Sequence, residues 1–182
     1  MRIETETLTL KDGRTLTLRT PDENDAQAFI DYMRKTAEDT HFLIRYPEEI
    51  APTLEKEKEI IKENVEADDA AWFSVFEGDK VVGNCSICRY KSHIKVKHRS
   101  LFAIAIDKEY WECGLGKILM EKAIAKAKEM GSEQLELGVF EDNERARALY
   151  RKMGFEECGI LPRAYKLKDG TYVGEVSMVR FL

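Results

Sequence analysis

The stretch Ile104-Ala-Ile-Asp-Lys-Glu-Tyr-Trp-Glu-Cys-Gly-Leu-Gly-Lys-Ile-Leu-Met120 decides how this chain folds. It reads as the end of a buried strand, Leu101 to Ile106, then a short loop, then a helix that opens on Gly114-Leu115-Gly116 and runs to about Met130. Small residues at a helix start let a ligand approach the backbone, where the unpaired amides of the first turn and the positive end of the dipole point outward together. That combination suits a phosphate or pyrophosphate. It is not the dinucleotide fingerprint, because Leu119 stands where GxGxxG needs its third glycine. A nucleotide-hydrolysing loop is excluded too, since Lys117 is followed by Ile118 rather than Ser or Thr.

Downstream of this segment the chain alternates: strand Gln134 to Phe140, helix Asn143 to Met153, then strands near Phe155 to Leu167 and Tyr172 to Phe181. Two consecutive crossovers of helical length call for parallel pairing there. Upstream, hairpin signals dominate. Leu8/Leu10 and Leu16/Leu18 alternate on either side of Lys11-Asp12-Gly13-Arg14, and Trp72 to Phe76 is joined to Lys80 to Tyr90 by Glu77-Gly78-Asp79. Thr20-Pro21-Asp22-Glu23 reads as a capping box with Thr20 at the cap, opening a helix whose Ala26, Phe29, Ile30 and Met33 form one apolar stripe. His41 to Pro52 reads as an irregular loop and Thr53 to Glu66 as a charged helix. The fold class expected is α/β: a mixed, largely antiparallel central sheet with a parallel segment and helices on both faces, forming one domain over residues 1–182.

The chain has 182 residues, 43% of them hydrophobic, and a formal charge of -5, which argues against coating nucleic acid or anionic lipid through global charge. No apolar run approaches the roughly 18 residues of a membrane span, and the start lacks the layout of a signal peptide, so a cytoplasmic location is expected. Cys85 and Cys88 spell CxxC inside an expected strand, where odd spacing sends the side chains to opposite faces. Three histidines and no second ligand pair complete no metal site, and reduced thiols are expected.

Within the last expected helix, Asp142 can cap, Gly154 can take the left-handed position that ends it, and Ala146, Leu149, Tyr150 and Met153 share a face. Tyr150 is either a core aromatic tied to backbone or a proton donor at the edge of a cleft beside the small Ala146.

At this point the sequence resembles the GNAT superfamily of N-acetyltransferases. The family cradle is Gln or Arg, two residues, Gly, one residue, then Gly or Ala; the matching segment is Trp111-Glu112-Cys113-Gly114-Leu115-Gly116, departing from the rule at Trp111. Asn143-Glu-Arg-Ala-Arg-Ala-Leu-Tyr150 followed by Gly154-Phe155 is similar to the family's second motif, and the resemblance covers about residues 14 to 182. Tyr-Trp before the cradle looks like the branch acetylating ribosomal-protein amino termini, polyamines and other small amines.

The resemblance implies an enzyme using acetyl-CoA as acetyl donor, with transfer by direct attack in a ternary complex. It implies that the pyrophosphate rests on amides of Cys113 to Lys117, that the pantetheine arm pairs with the strand at Ile104, Ala105 and Ile106, and that Asn143 helps fix the cofactor. Tyr150 would protonate the thiolate as the tetrahedral intermediate collapses. Lys117 either meets phosphate or is merely solvated. Many members carry a strand glutamate as base, but Leu101, Phe102 and Ala103 stand in that region. For proton removal His98, Ser100 and a water route remain open, while Glu175 and Tyr172 on the last strand lie where members of the family shape the acceptor side, Glu175 either attracting a cationic amine or serving only the surface. The acceptor, a small amine or a peptide N-terminus, stays open as well. No nucleic-acid or membrane partner is expected, and the state is a monomer or homodimer. Trp111 and the missing strand glutamate also motivate a non-catalytic acyl-CoA sensor as the alternative.

Overall fold

The computed structural model describes residues 1–182. The Asp12-Gly13 pair turns the chain as expected, with Gly13 at φ +88° between strands β1 (Glu6–Thr9) and β2 (Thr15–Arg19). Helices α1 (Ala26–Asp39) and α2 (Leu54–Glu66) follow, then strands β3 (Ala70–Glu77), β4 (Lys80–Arg89) and β5 (Arg99–Ile106). Helix α3 (Leu115–Glu129), β6 (Gln134–Phe140), α4 (Glu144–Lys152), β7 (Glu156–Lys166) and β8 (Tyr172–Phe181) complete the chain. The eight strands form one sheet in the order β1-β2-β3-β4-β5-β6-β8-β7, antiparallel everywhere except between β5 and β6.

The alternating strand pattern gives this sheet two apolar faces. Phe76 and Val81 project to one, where they pack with Ala26, Phe29, Tyr32, Ile61 and Val65 of α1 and α2. Phe73, Val75, Val82, Cys85 and Ile87 project to the other and join a 27-residue core with α3 and Tyr150 of α4. On α3 the four-residue spacing of Leu115, Leu119, Ala123 and Ala127 puts one stripe wholly out of solvent. Within the CxxC, Cys85 is buried and Cys88 exposed, as the period-two geometry requires.

Two helix starts differ from expectation. The cap before α1 is Asp22, not Thr20: its carboxylate accepts from Asn24 N–H while Asp25 reaches back to Asp22 N–H, forming a short 3-10 turn that leads into the helix. Thr20 instead accepts from Ile3 N–H through its hydroxyl. The cap of α4 is Asn143, whose Oδ1 accepts from Ala146 N–H at 3.1 Å, while Asp142 turns away to His41 at 2.7 Å. In both cases two side chains with acceptor oxygens lie near the helix start, and the one that does not cap is bonded elsewhere, Thr20 to Ile3 and Asp142 to His41. The loop His41 to Pro52 also contains one 3-10 turn, Pro47–Glu49.

At the end of β5, Asp107 is fully buried. Both its oxygens lie 2.6 Å from Lys35 Nζ, Lys80 Nζ is 3.3 Å away, and Glu109 N–H donates to it at 3.0 Å. Burial alone would raise this carboxyl, but the Lys35 ammonium, the Glu109 N–H and the Lys80 ammonium outweigh it and hold it below the ordinary value of 3.8. The depressed folded-state value means that the stabilisation is present above pH 3.8 and fades as pH falls through that lower value. Asp107→Asn is therefore expected to cost about 2 kcal/mol at pH 7. Urea unfolding at neutral and acidic pH checks this, the difference from wild type shrinking in acid.

Candidate active site

Strands β5 and β6 pair in parallel over only three positions, Arg99↔Gln134, Ser100↔Leu135 and Leu101↔Glu136. Beyond Leu101 they part, leaving a gap lined by Phe102 to Ile106 on one side and Leu137 to Phe140 on the other. The bonds at the end of β5 fix which way its backbone faces. Asp107 N–H donates to Val82 of β4, whereas the Ile106 carbonyl, on the opposite edge, accepts from the Trp111 indole N–H at 2.8 Å. By antiparallel alternation the main-chain groups of Ala103 and Ala105 turn to β4, and those of Phe102, Ile104 and Ile106 turn into the gap. The Ala105 carbonyl is shared with the Tyr32 hydroxyl at 2.7 Å. Ala105 thus lines the cleft without offering it main-chain groups.

The gap opens into a cavity of about 640 Å³, a size that suits a small-molecule or cofactor site. Ile104, Ala105, Ile106, Trp111, Glu112, Gly114, Gly116, Lys117, Asn143, Ala146 and Tyr150 all line it. Cys113 and Leu115 do not, because both side chains are buried in the core. They can address the cavity only through their N–H groups.

The cradle loop is held in an uncommon backbone shape. Glu112 has φ +62° and Gly114 φ +95°, both left-handed. Contacts from both sides hold it there: Cys113 Sγ donates to the Tyr110 carbonyl at 2.8 Å, and Lys11 N–H of the first hairpin turn donates to the Cys113 carbonyl at 3.3 Å. Arg14 adds a bond to the Glu109 carbonyl at 3.2 Å and lies over the Tyr110 ring. Helix α3 then starts at Leu115, so the first-turn N–H groups have no carbonyl within the helix. Gly116 lets this turn approach α4 closely, since a Cβ there would stand 3.0 Å from a Leu149 methyl.

Cationic side chains gather around that turn. Arg145 stacks its guanidinium 3.3 Å from the centre of the Trp111 ring, and Lys11, Lys117 and Lys152 also line the cavity. Arg145 and Lys11 were not singled out in the sequence. Arg145 lies inside the second motif but reads as one charge on a charged helix, and Lys11 reads as a hairpin turn residue.

Tyr150 has 8% of its surface exposed and lines the cavity, and no backbone group takes its hydroxyl. Burial pushes its phenol up to about 12, with Arg145 acting the other way, so the hydroxyl keeps its proton at neutral pH. Asn143, 9% exposed, uses Oδ1 as a helix cap and lines the cavity. Two residues considered for proton removal lie elsewhere. Ser100 is buried against Ser132 at 2.7 Å, and the His98 carbonyl holds Glu133 N–H at the closed end of the gap. Tyr172 lies under the Arg163 guanidinium on the far strands. The mouth is rimmed by an aromatic group: Phe42 and His41 lie about the Phe140 ring, on which Tyr165 stacks at 3.9 Å. Lys168 N–H donates to the Tyr46 hydroxyl at 2.9 Å, joining the loops on either side.

The family model described as "Acetyltransferase (GNAT) family" matches residues 30–155, more than half of the sequence. The chain belongs to this family of acetyltransferases. It is 36% identical over 108 residues to the ribosomal protein bS18-alanine N-acetyltransferase of Haemophilus influenzae, a match spanning 59% of this chain and 70% of that enzyme. A GNAT-family acetyltransferase from Streptococcus pneumoniae superposes with a TM-score of 0.85 at 26% identity, covering 92% of this chain and 99% of that one. The fold is also that of yncA, described as a putative acetyltransferase, from Salmonella typhimurium. That structure, solved with acetyl-CoA, gives a TM-score of 0.78 at 17% identity over 92% of this chain and 94% of that one.

The two cradle glycines answer to different constraints. Gly114→Ala places a side chain at φ +95° and is expected to cost about 1 kcal/mol. Gly116→Ala asks only a Leu149 methyl to shift, and should cost less; denaturant unfolding of both variants measures the difference.

Proposed function

We propose that this acetyltransferase moves the acetyl group of acetyl-CoA to a primary amine by direct attack within a ternary complex. The observation that supports it best is the gap between β5 and β6, with an unpaired backbone edge on one wall, an N–H cradle at one end and the Tyr150 hydroxyl between. Acetyl-CoA supplies the activated acetyl thioester.

The residues fit that donor. The N–H groups of Gly114, Leu115, Gly116 and Lys117 and the charges of Arg145, Lys11 and Lys117 suit its pyrophosphate and phosphate. Backbone groups of Ile104 and Ile106 can hold an amide-bearing arm as a neighbouring strand would. Arg145 supplies beside Trp111 the side-chain N–H donors that the family's first cradle position carries as Gln or Arg. The Tyr150 hydroxyl, kept protonated by burial, gives its proton to the departing sulfur.

The acceptor class is a small amine or a peptide N-terminus. A net charge of -5 favours a cationic acceptor, and the Haemophilus relative, described as a ribosomal protein bS18-alanine N-acetyltransferase, makes alanine-bearing peptides one arm of the test. Release of free thiol from acetyl-CoA is to be measured across polyamines, amino acids, aminoglycosides and short peptides with free amino termini. Amine-dependent release supports transfer. Donor binding with no release for any acceptor favours the acyl-CoA sensor instead.

Tyr150→Phe is expected to lower kcat roughly hundredfold while leaving donor binding intact, as calorimetry with acetyl-CoA checks. Arg145→Ala removes a contact worth about 1 kcal/mol. Its KM for acetyl-CoA should rise about fivefold at unchanged kcat, read from initial rates at varied donor concentration.

A further inference from the structure

The gap between β5 and β6 opens to both faces of the sheet. On the face away from α3 and α4 lies a second cavity, of about 620 Å³. Phe102, Ala103, Leu137 and Gly138 line both cavities, so the two meet at the gap. At that junction stands Glu175. It sits on β8 opposite Phe140, and its side chain reaches along β6 to Gly138. A Cβ built on Gly138 would lie 2.8 Å from the Glu175 carboxyl carbon and 3.0 and 3.1 Å from its oxygens. The carboxylate thus lies directly over the one residue of this wall that has no side chain.

One further contact orients it. The Tyr165 hydroxyl of β7 donates to Glu175 Oε2, and the Tyr165 ring is fixed by stacking on Phe140 at 3.9 Å and 7°. Burial, and then the bond to Glu175, push the Tyr165 phenol well above its ordinary value, so it stays a neutral donor. Glu175 has no other hydrogen-bond partner and no Lys, Arg or His within ion-pair distance, although the chain forms sixteen ion pairs elsewhere. A half-buried carboxylate with one neutral partner retains acceptor capacity for a cation.

We propose that Glu175 receives the acceptor's ammonium group from the open face of the sheet and takes a proton from it, in the space Gly138 leaves free. This rests on the transfer reaction of the preceding section and names its proton acceptor. The ammonium gives one proton to the carboxylate, and the freed lone pair forms the C–N bond at the acetyl carbonyl carbon. The C–S bond breaks, and sulfur takes the proton of the Tyr150 hydroxyl. The surplus proton on the new amide nitrogen returns to the Tyr150 oxygen, and the Glu175 proton leaves to solvent, so one proton is released per turnover.

The test uses the full chain and the amine that gives the fastest thiol release. Glu175→Gln is expected to lower kcat/KM for the amine roughly hundredfold with acetyl-CoA affinity unchanged. In Glu175→Ala/Gly138→Glu the carboxylate returns from β6 in place of β8. This double variant should recover about tenfold over Glu175→Ala alone. A Glu175→Gln variant within about threefold of wild type, or a double variant no better than Glu175→Ala, overturns the assignment while leaving the transferase reading standing. If wild type releases no thiol with any amine, transfer fails and binding decides. Calorimetry of spermidine on the CoA-saturated protein then supports Glu175 if the Gln variant binds about tenfold more weakly. Equal binding, or none to wild type, overturns it.

Discussion

Two parallel strands that hold each other for three residue pairs and then part leave an edge of each without a strand partner. Buried backbone N–H and C=O groups left in that condition are costly, so the protein must cover them or keep them for a ligand. It does both. The Trp111 indole covers the last carbonyl of β5, while Ile104 and the N–H of Ile106 stay turned to the gap. The closed end is locked by the Ser100–Ser132 hydroxyl bond and by Arg99 paired with Glu136, so the separation begins at a defined place. The cavity, the placement of Tyr150 and the aromatic rim all follow from that parting.

The cradle depends on a second constraint, the backbone strain at Glu112 and Gly114. A left-handed glutamate is held only where its surroundings over-determine it. Asp107 fixes the loop at one end with two ammonium groups and an N–H, and the buried Leu115 fixes the other. The middle is held by Cys113 and by the first hairpin turn. Charge therefore serves two purposes a few residues apart: the Lys35 and Lys80 charges are spent on structure, whereas Arg145 and Lys117 remain at the cavity.

Most of the architecture was legible because it rests on local periodicity. The alternation in β3 and β4, the four-residue spacing of α3 and the Asp-Gly turn each specify their element without help from distant residues. The helix caps were less legible, since Thr20 and Asp22, or Asp142 and Asn143, offer similar oxygens and only the path of the chain selects one. The cradle could be read because it is contiguous. The meeting of Tyr165, Glu175 and Gly138 could not be read, because it is assembled across strands through the β6–β8–β7 order, which a linear reading does not reveal. Arg145 carried a signal only in combination with Trp111, whose ring it covers.

The contacts of the first hairpin turn with the cradle loop bear on how the molecule acquires its shape. Lys11 and Arg14 reach Cys113 and Glu109 across a separation of about a hundred residues, Arg14 and Glu109 being 95 apart in sequence. Closing a loop of that length precedes any reward from the contact, which slows folding of topologies rich in such pairings. During synthesis the hairpin emerges long before the segment it must brace, so its contacts with the strained turn can form only once Glu109 to Cys113 have been made. The native shape of the cradle thus depends on a contact that spans more than half of the chain.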